Sequence, residues 1–227
     1  MERLSWSAEA FWTRVDQWQT LIGAGAALLA ALVGAYFLHR QTEQGSRFES
    51  DRLGRQHAAT RAALVIPLSQ VCDYAETTAL ALLSLKPDDD GLIPHAALLN
   101  LSLPTLPPSI STELSKAIET ATTAQLQVAV ADLLSTIQGV QARMRFEHAK
   151  REHEEIIAAN RDSLVVRLAE IYGYCSLLFP YARRYVEDVD LEALATETRT
   201  ALFVFRVSEE TRPELFDTYR RYFEKAK

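Results

Sequence analysis

The sequence predicts an all-α protein: a single N-terminal transmembrane helix continuing into a long stalk helix and an antiparallel helical bundle. Three observations carry that reading. Leu21 to Leu38 is a run of 18 residues without a charge. Further along, apolar residues recur at alternating spacings of four and three in three separate stretches, the signature of helix seams. Finally, the chain is rich in Ala, Leu, Glu, Gln and Arg, and its prolines gather in one short region, at Pro87, Pro94, Pro104, Pro107 and Pro108. That composition favours helix, with one interruption.

The uncharged run is the first element. Gln17 to Thr20 extend it, and at about 1.5 Å per residue it covers roughly 27–33 Å, the hydrocarbon thickness of a bilayer. A soluble helix of this length needs a polar stripe for water, and this one has none. Its flanks are aromatic: Trp6, Trp12 and Trp18 precede or open it, and Tyr36 and Phe37 close it beside Arg40. Aromatic rings favour the headgroup level, so these residues mark two membrane interfaces, and residues 1–16 form a short interfacial segment ahead of a span at 17–39. Arg3 and Arg14 lie on one side; Arg40, Arg47, Arg52 and Arg55 lie on the other. The positive-inside rule therefore puts the N-terminus outside and the C-terminal domain in the cytoplasm of a cell (inner) membrane. Val33-Gly34-Ala35 resembles a signal-peptide cleavage site, but the long aromatic stretch ahead of the apolar run is not net basic and does not suit one. Gly23, Ala27 and Ala31 form one small-residue ladder, and Ala26, Ala30 and Gly34 a second, which lets two such helices approach closely in lipid.

Residues 40–86 read as the stalk. Its first half is polar; from Leu64 a seam runs through Leu68, Val71, Ala75, Thr78, Leu82 and Leu85, with Pro67 expected to kink the helix or start a new one. Residues 87–108 are too rich in leucine for a disordered linker and predict an ordered loop with one short helix. Residues 109–227 complete the bundle and pack with 64–86. Ser109 or Ser111 is expected to cap the next helix. A seam follows at Leu126, Val130, Leu133, Ile137, Val140 and Met144. Asn160-Arg161-Asp162-Ser163 reads as a turn, and a third seam runs through Leu164, Leu168, Ile171, Cys175, Leu178, Ala182 and Tyr185. Two shorter helices close the chain, from Leu191 to about Val207 and from the capping box Thr211-Arg-Pro-Glu214.

Chemistry is sparse. The net charge of −6 argues against a general affinity for nucleic acid. His148 and Glu152 are four apart, yet no E-x-x-H pair of a di-iron bundle and no H-E-x-x-H is present, so no metal ligand is assigned. No phosphate loop and no G-x-S-x-G occur, so no catalytic residue and no cofactor site is assigned either. Cys72 and Cys175 match no CxxC spacing; Cys175 sits on a seam and reads as a core thiol. Two aromatic-basic patches, around Arg183 and Arg184 and around Arg220 and Arg221, are candidates for an anion or a protein partner, although amphipathic helices that pair their arginines with nearby acids would read the same. The layout resembles that of bacterial proteins with one N-terminal span and a small cytosolic helical domain. No activity follows from that resemblance; span, stalk and seams, together with the missing catalytic motifs, point to a membrane-anchored, non-enzymatic interaction or scaffold module with the bilayer, a second copy of itself and an unidentified protein as partners. A membrane-active effector whose span assembles, and a sensor with a ligand site near Pro87 to Pro108, are the alternatives.

Overall fold

The computed structural model describes residues 8–88, 90–149 and 156–223. It is all-α, with 79% of the chain helical. Two compact units divide at Gly54 and Arg55.

The first unit contains most of helix α1 (Ala8–Ala63), which continues into the second. Residues 8–16, expected as a separate surface segment, are the opening turns of α1, and Gly45 and Gly54 do not interrupt it. This helix is long and apolar enough to cross a membrane, and none of its apolar window is buried. Leu28, Leu29, Leu32, Val33 and Leu38 all stand exposed.

In the second unit α1 ends at Ala63 and α2 (Val65–Ser84) begins after a turn at Leu64. The cause is Pro67, which has no N–H to donate to the carbonyl of Ala63, four residues back. The break thus falls ahead of the proline itself. The hydrogen bonds from Leu64 N to Thr60 O (3.1 Å) and Leu68 N to Leu64 O (3.0 Å) survive on either side of it. Every residue of the first expected seam, Leu64 through Leu85, is buried, including its one polar member, Thr78.

The proline-rich region is ordered. Asp88 Oδ1 accepts from Asp90 N (3.1 Å) and Leu92 N (2.8 Å), and Gly91 takes φ +74°, which a side chain would resist. This tight turn delivers a two-residue strand, β1 (Leu92–Ile93), which pairs antiparallel with β2 (Ile156–Ile157). A short helix α3 (His95–Leu99) follows, with Ile93 and Leu98 buried. The strand pair is too short for alternation to announce it.

Helices α4 (Ser109–Glu119) and α5 (Ala124–Ala149) pack on one another. Ser109 and Ser111 lie inside the first turn of α4; the residue ahead of it is Pro108, and no side chain caps it. The cap that does form is on α5, where Thr123 Oγ1 accepts from Leu126 N at 3.2 Å and donates to Asp188 at 2.7 Å. All six residues of the second seam are buried.

Helix α6 (Ala158–Ala182) is the centre of the unit, touching α2, α5, α7 (Leu194–Val204) and α8 (Pro213–Phe223). The third seam is buried from Leu164 to Ala182, and so are Val165, Val166, Ala169, Tyr174 and Tyr181 on its other faces. A helix apolar on all sides belongs inside a core. Tyr185, expected on that seam, lies beyond the helix end and is 78% exposed. Asn160-Arg161-Asp162-Ser163, expected as a turn, is instead the first turn of α6. Gly173 permits the closest helix approach: a Cβ there would lie 2.9 Å from Thr198 Oγ1 and 3.0 Å from Thr198 N. Thr211 does not close a capping box with Glu214. Its hydroxyl accepts from Ser208 N (3.1 Å) and donates to Ser208 O (3.0 Å), forming a turn ahead of α8.

Candidate functional site: an arginine-lined groove at the start of helix α6

The misread tetrapeptide at the start of α6 organises an arginine-lined concavity of the second unit. Arg161 and Asp162 are both buried and paired, with Nε and one terminal nitrogen of Arg161 donating to Asp162 Oδ1 at 2.9 and 2.8 Å. The other terminal nitrogen donates to Leu85 O at 2.8 Å, and Arg212 donates to Leu83 O at 3.0 Å. Two guanidiniums therefore satisfy carbonyls at the end of α2, where the helix dipole is negative. Arg143, from α5, donates to Ser163 Oγ and to Asn160 Oδ1, each at 3.1 Å. Ser163 Oγ and Tyr222 OH share a hydrogen bond of 2.9 Å, and the Arg167 guanidinium lies 4.6 Å from the centre of the Tyr222 ring.

These groups line a cleft of about 570 Å³ that includes Lys86, Arg161, Arg212 and Arg221. A neighbouring hollow of about 330 Å³ shares Arg221 and Thr218 with it and adds Arg143 and Tyr222. Together the two hollows carry five cations, Lys86, Arg143, Arg161, Arg212 and Arg221, against two carboxylates, Asp162 and Glu214. Among the described residues, only Arg161 is neutralised by a direct ion pair there. Arg143 and Arg212 hydrogen-bond to neutral oxygens alone, and so does Arg221, through Thr218 Oγ1 at 2.9 Å. In a chain of net charge −6 this is a local excess of positive charge. Two titrating groups register it. Burial, and next the adjacent Arg161, push the Arg212 guanidinium below its ordinary value. The hydrogen bond from Ser163, assisted by Arg167 and Arg143 against some burial, lowers the Tyr222 phenol.

The expected patches fall differently. Arg221 reaches the groove, whereas Arg220 pairs with Glu209 and with Asp217 (2.9 Å). Arg183 and Arg184 stand at the opposite end of α6, so the four arginines make no single surface. Arg184 has φ +64° and ends the helix: Tyr185 N donates to Pro180 O (2.8 Å) and Arg184 N to Tyr181 O (2.9 Å), a Schellman cap. Arg143, Arg161 and Arg212 went unsuspected in the sequence. The one signal for them was the polar tetrapeptide at 160–163, in which Asn160, Arg161 and Ser163 have tertiary partners and Asp162 pairs with Arg161.

On α1, Trp18, Tyr36, Phe37 and Arg40 are exposed, with the Tyr36 and Phe37 rings edge to face at 6.0 Å. Trp12 lies on α1, and Trp6 lies outside the described residues. Gly23, Ala27, Ala30, Ala31 and Gly34 are exposed as well, and an added Cβ at Gly23 or Gly34 would meet nothing within 4 Å. Near the proline-rich loop, a smaller cleft of about 310 Å³ is lined by Tyr74, Leu103, Leu106, Met144 and His148. Glu152, the expected neighbour of His148, lies outside the described residues. Among the described residues no group of three or more His, Cys, Asp or Glu is placed to hold a metal ion. Comparison with protein-family profiles, curated proteins and solved structures finds no match.

Proposed function

We propose that this chain is a membrane-anchored, non-enzymatic helical module that holds a partner at the cytoplasmic face of a bacterial membrane. The observation that carries the reading is that the apolar window of α1 buries none of its side chains. Some 18 apolar residues left in water would cost the hydrophobic stabilisation of every one of them, and a bilayer removes that cost. Trp18 at one end, Tyr36 and Phe37 at the other, and the arginines from Arg40 onward suit the two interfaces and the proposed orientation.

The test is a charge placed at mid-span. Leu29→Arg costs about 2.5–3.5 kcal/mol of insertion free energy and is expected to shift the chain from the carbonate-resistant membrane fraction to the soluble one. The reading fails if wild type and variant partition alike. Labelling of cysteines introduced on each flank, in a background lacking Cys72 and Cys175, reads the orientation; labelling of the Arg40 flank from outside the cell overturns it.

The open ladder of Gly23, Ala27 and Ala31 favours a second reading, in which spans assemble and the protein acts on the membrane itself. Overexpression should then dissipate the membrane potential, and Ala27→Leu should suppress the effect. An unchanged potential eliminates it.

A further inference from the structure

We propose that the groove at the start of α6 is a binding site for a phosphate-bearing ligand, held by Arg212, Arg221, Arg143 and Lys86. This goes beyond the membrane reading and does not rest on it. The two connected hollows, about 570 and 330 Å³, suit a small phosphorylated molecule or headgroup.

The chemistry of the lining argues for an anion of this kind. Planar guanidiniums from three elements converge: Arg143 from α5, Arg212 from the turn before α8, and Arg221 from α8. Among the described residues each has no direct carboxylate pair, so its spare N–H groups can form the forked, charge-assisted bonds that phosphate oxygens accept. Thr218 and Ser163 add hydroxyls at the same wall. The site is also built rather than incidental. Arg161 is locked by Asp162 and Leu85 O, Arg143 by Ser163 and Asn160, and both anchors lie within one helical turn, so the cations are held before any ligand arrives. Asp162 is ion-paired with Arg161, and Glu214 is the one other carboxylate in the lining among the described residues. A dianionic or trianionic group would restore local neutrality. A monocarboxylate would leave most of the excess in place.

The experiment uses the full chain in uncharged detergent micelles with inorganic pyrophosphate as the probe, titrated by calorimetry at low salt. Saturable binding is expected, weakening as salt rises. Lys86→Gln with Arg221→Gln, both exposed positions, the second bonded only to Thr218 Oγ1 and Asp217 O of its own helix, is expected to weaken it roughly tenfold or more, the loss typical of charge-assisted bonds. Arg183→Gln with Arg184→Gln, at the far end of α6, should leave it unchanged. Bound pyrophosphate should also raise the titration point of Tyr222, which lines the smaller hollow, by offsetting the share of its lowering that comes from Arg167 and Arg143 rather than from the Ser163 hydrogen bond; a purely non-specific anion effect would not single out that tyrosine. A second arm adds phosphatidic acid to the micelles. Loss of pyrophosphate binding there means that a lipid phosphate fills the groove, and persistence means a soluble one; either supports the site. Absence of saturable binding, or binding indifferent to the Lys86 and Arg221 changes, overturns it.

Discussion

Arg61 and Tyr181 are joined twice: the guanidinium of Arg61 lies 4.4 Å from the centre of the Tyr181 ring, and its Nε donates to the Tyr181 carbonyl at 2.7 Å. The same side chain donates to Val186 O at 2.5 Å and to Glu187 Oε2 at 2.9 Å, and His57 shares a 2.5 Å hydrogen bond with the Tyr181 hydroxyl. Arg61 is buried although it carries a full charge. Its role is to satisfy carbonyls where α6 ends, at the negative pole of that helix.

Arg61→Ala therefore strips Val186 O of its side-chain donor, leaves Tyr181 O with Arg184 N alone, and removes the Glu187 ion pair and a cation–π contact. The expected loss is about 2–4 kcal/mol in urea unfolding. Arg61→Lys should recover less than half of it, because an ammonium cannot make the forked contacts at Tyr181 and Val186 together. Tyr181→Phe removes only the hydroxyl shared with His57 and should cost about 1 kcal/mol. A variant series in which Lys restores full stability would contradict this account.

Why the seams were legible and the groove was not follows from the kind of force each uses. Leu126, Val130 and Leu133 are buried because their spacing alone puts them on one face, and spacing is visible in a sequence. Asn160-Arg161-Asp162-Ser163 looks like a turn because such side chains compete locally for backbone hydrogen bonds. In the folded chain Asn160 and Ser163 bond to Arg143 and Arg161 bonds to Leu85 O, residues distant in sequence, with Asp162 holding Arg161, and the local preference for a turn is overridden. Arg212, from the turn ahead of α8, joins them only through tertiary structure. Burial around the whole of α6 was hidden for a related reason: one seam is easily seen, while the other apolar faces of a central helix break no pattern.

Two glycines at comparable places in helices should respond in opposite senses. Gly173 in α6 faces Thr198, whose backbone nitrogen would lie 3.0 Å from an added Cβ. Because the obstacle includes backbone, it cannot swing aside, and Gly173→Ala is expected to cost roughly 1–3 kcal/mol. Gly139 in α5 is exposed and meets nothing within 4 Å. Gly139→Ala should stabilise by about 0.5–1 kcal/mol through helix propensity alone. Thermal unfolding of the two variants side by side checks the pair.

Among the described residues, both non-glycine residues with a positive φ are arginines that end helices. Arg184 closes α6, and Arg206, at φ +61°, closes α7 with Val207 N donating to Leu202 O and Arg206 N to Phe203 O, each at 2.9 Å. Glycine adopts this conformation without the cost a Cβ brings, about 1–2 kcal/mol in the left-handed region. Each Arg→Gly change is expected to raise stability by about 0.5–1 kcal/mol, less than the full strain because the unfolded chain gains freedom too. Equilibrium unfolding in urea measures it, and loss of stability at Arg184 would show that its side chain does more than end a helix.

The tyrosines should titrate in a definite order. Tyr222 is lowered, first by its hydrogen bond from Ser163 and then by Arg167 against opposing desolvation. Tyr174 is raised strongly, by burial first and then by the charge of Asp132, and Tyr74, Tyr172 and Tyr181 are raised by burial first. In an alkaline absorbance titration of the folded protein, Tyr222 should therefore ionise ahead of this buried group, and Tyr222→Phe should delete a component that precedes those four tyrosines. Arg167→Gln should move Tyr222 upward by removing a neighbouring cation. Because the phenol is depressed in the fold, the unfolded chain binds the extra proton between the folded value and the ordinary tyrosine value of 10.0. The contribution of Tyr222 to stability thus grows as pH rises through that window, is complete above 10.0, and is lost as pH falls through the folded value. The raised tyrosines act in the opposite sense, weakening the fold as pH climbs past 10.0. Comparing the alkaline stability of wild type and Tyr222→Phe isolates the first effect; a difference that shrinks between neutral pH and pH 10.0 would refute it.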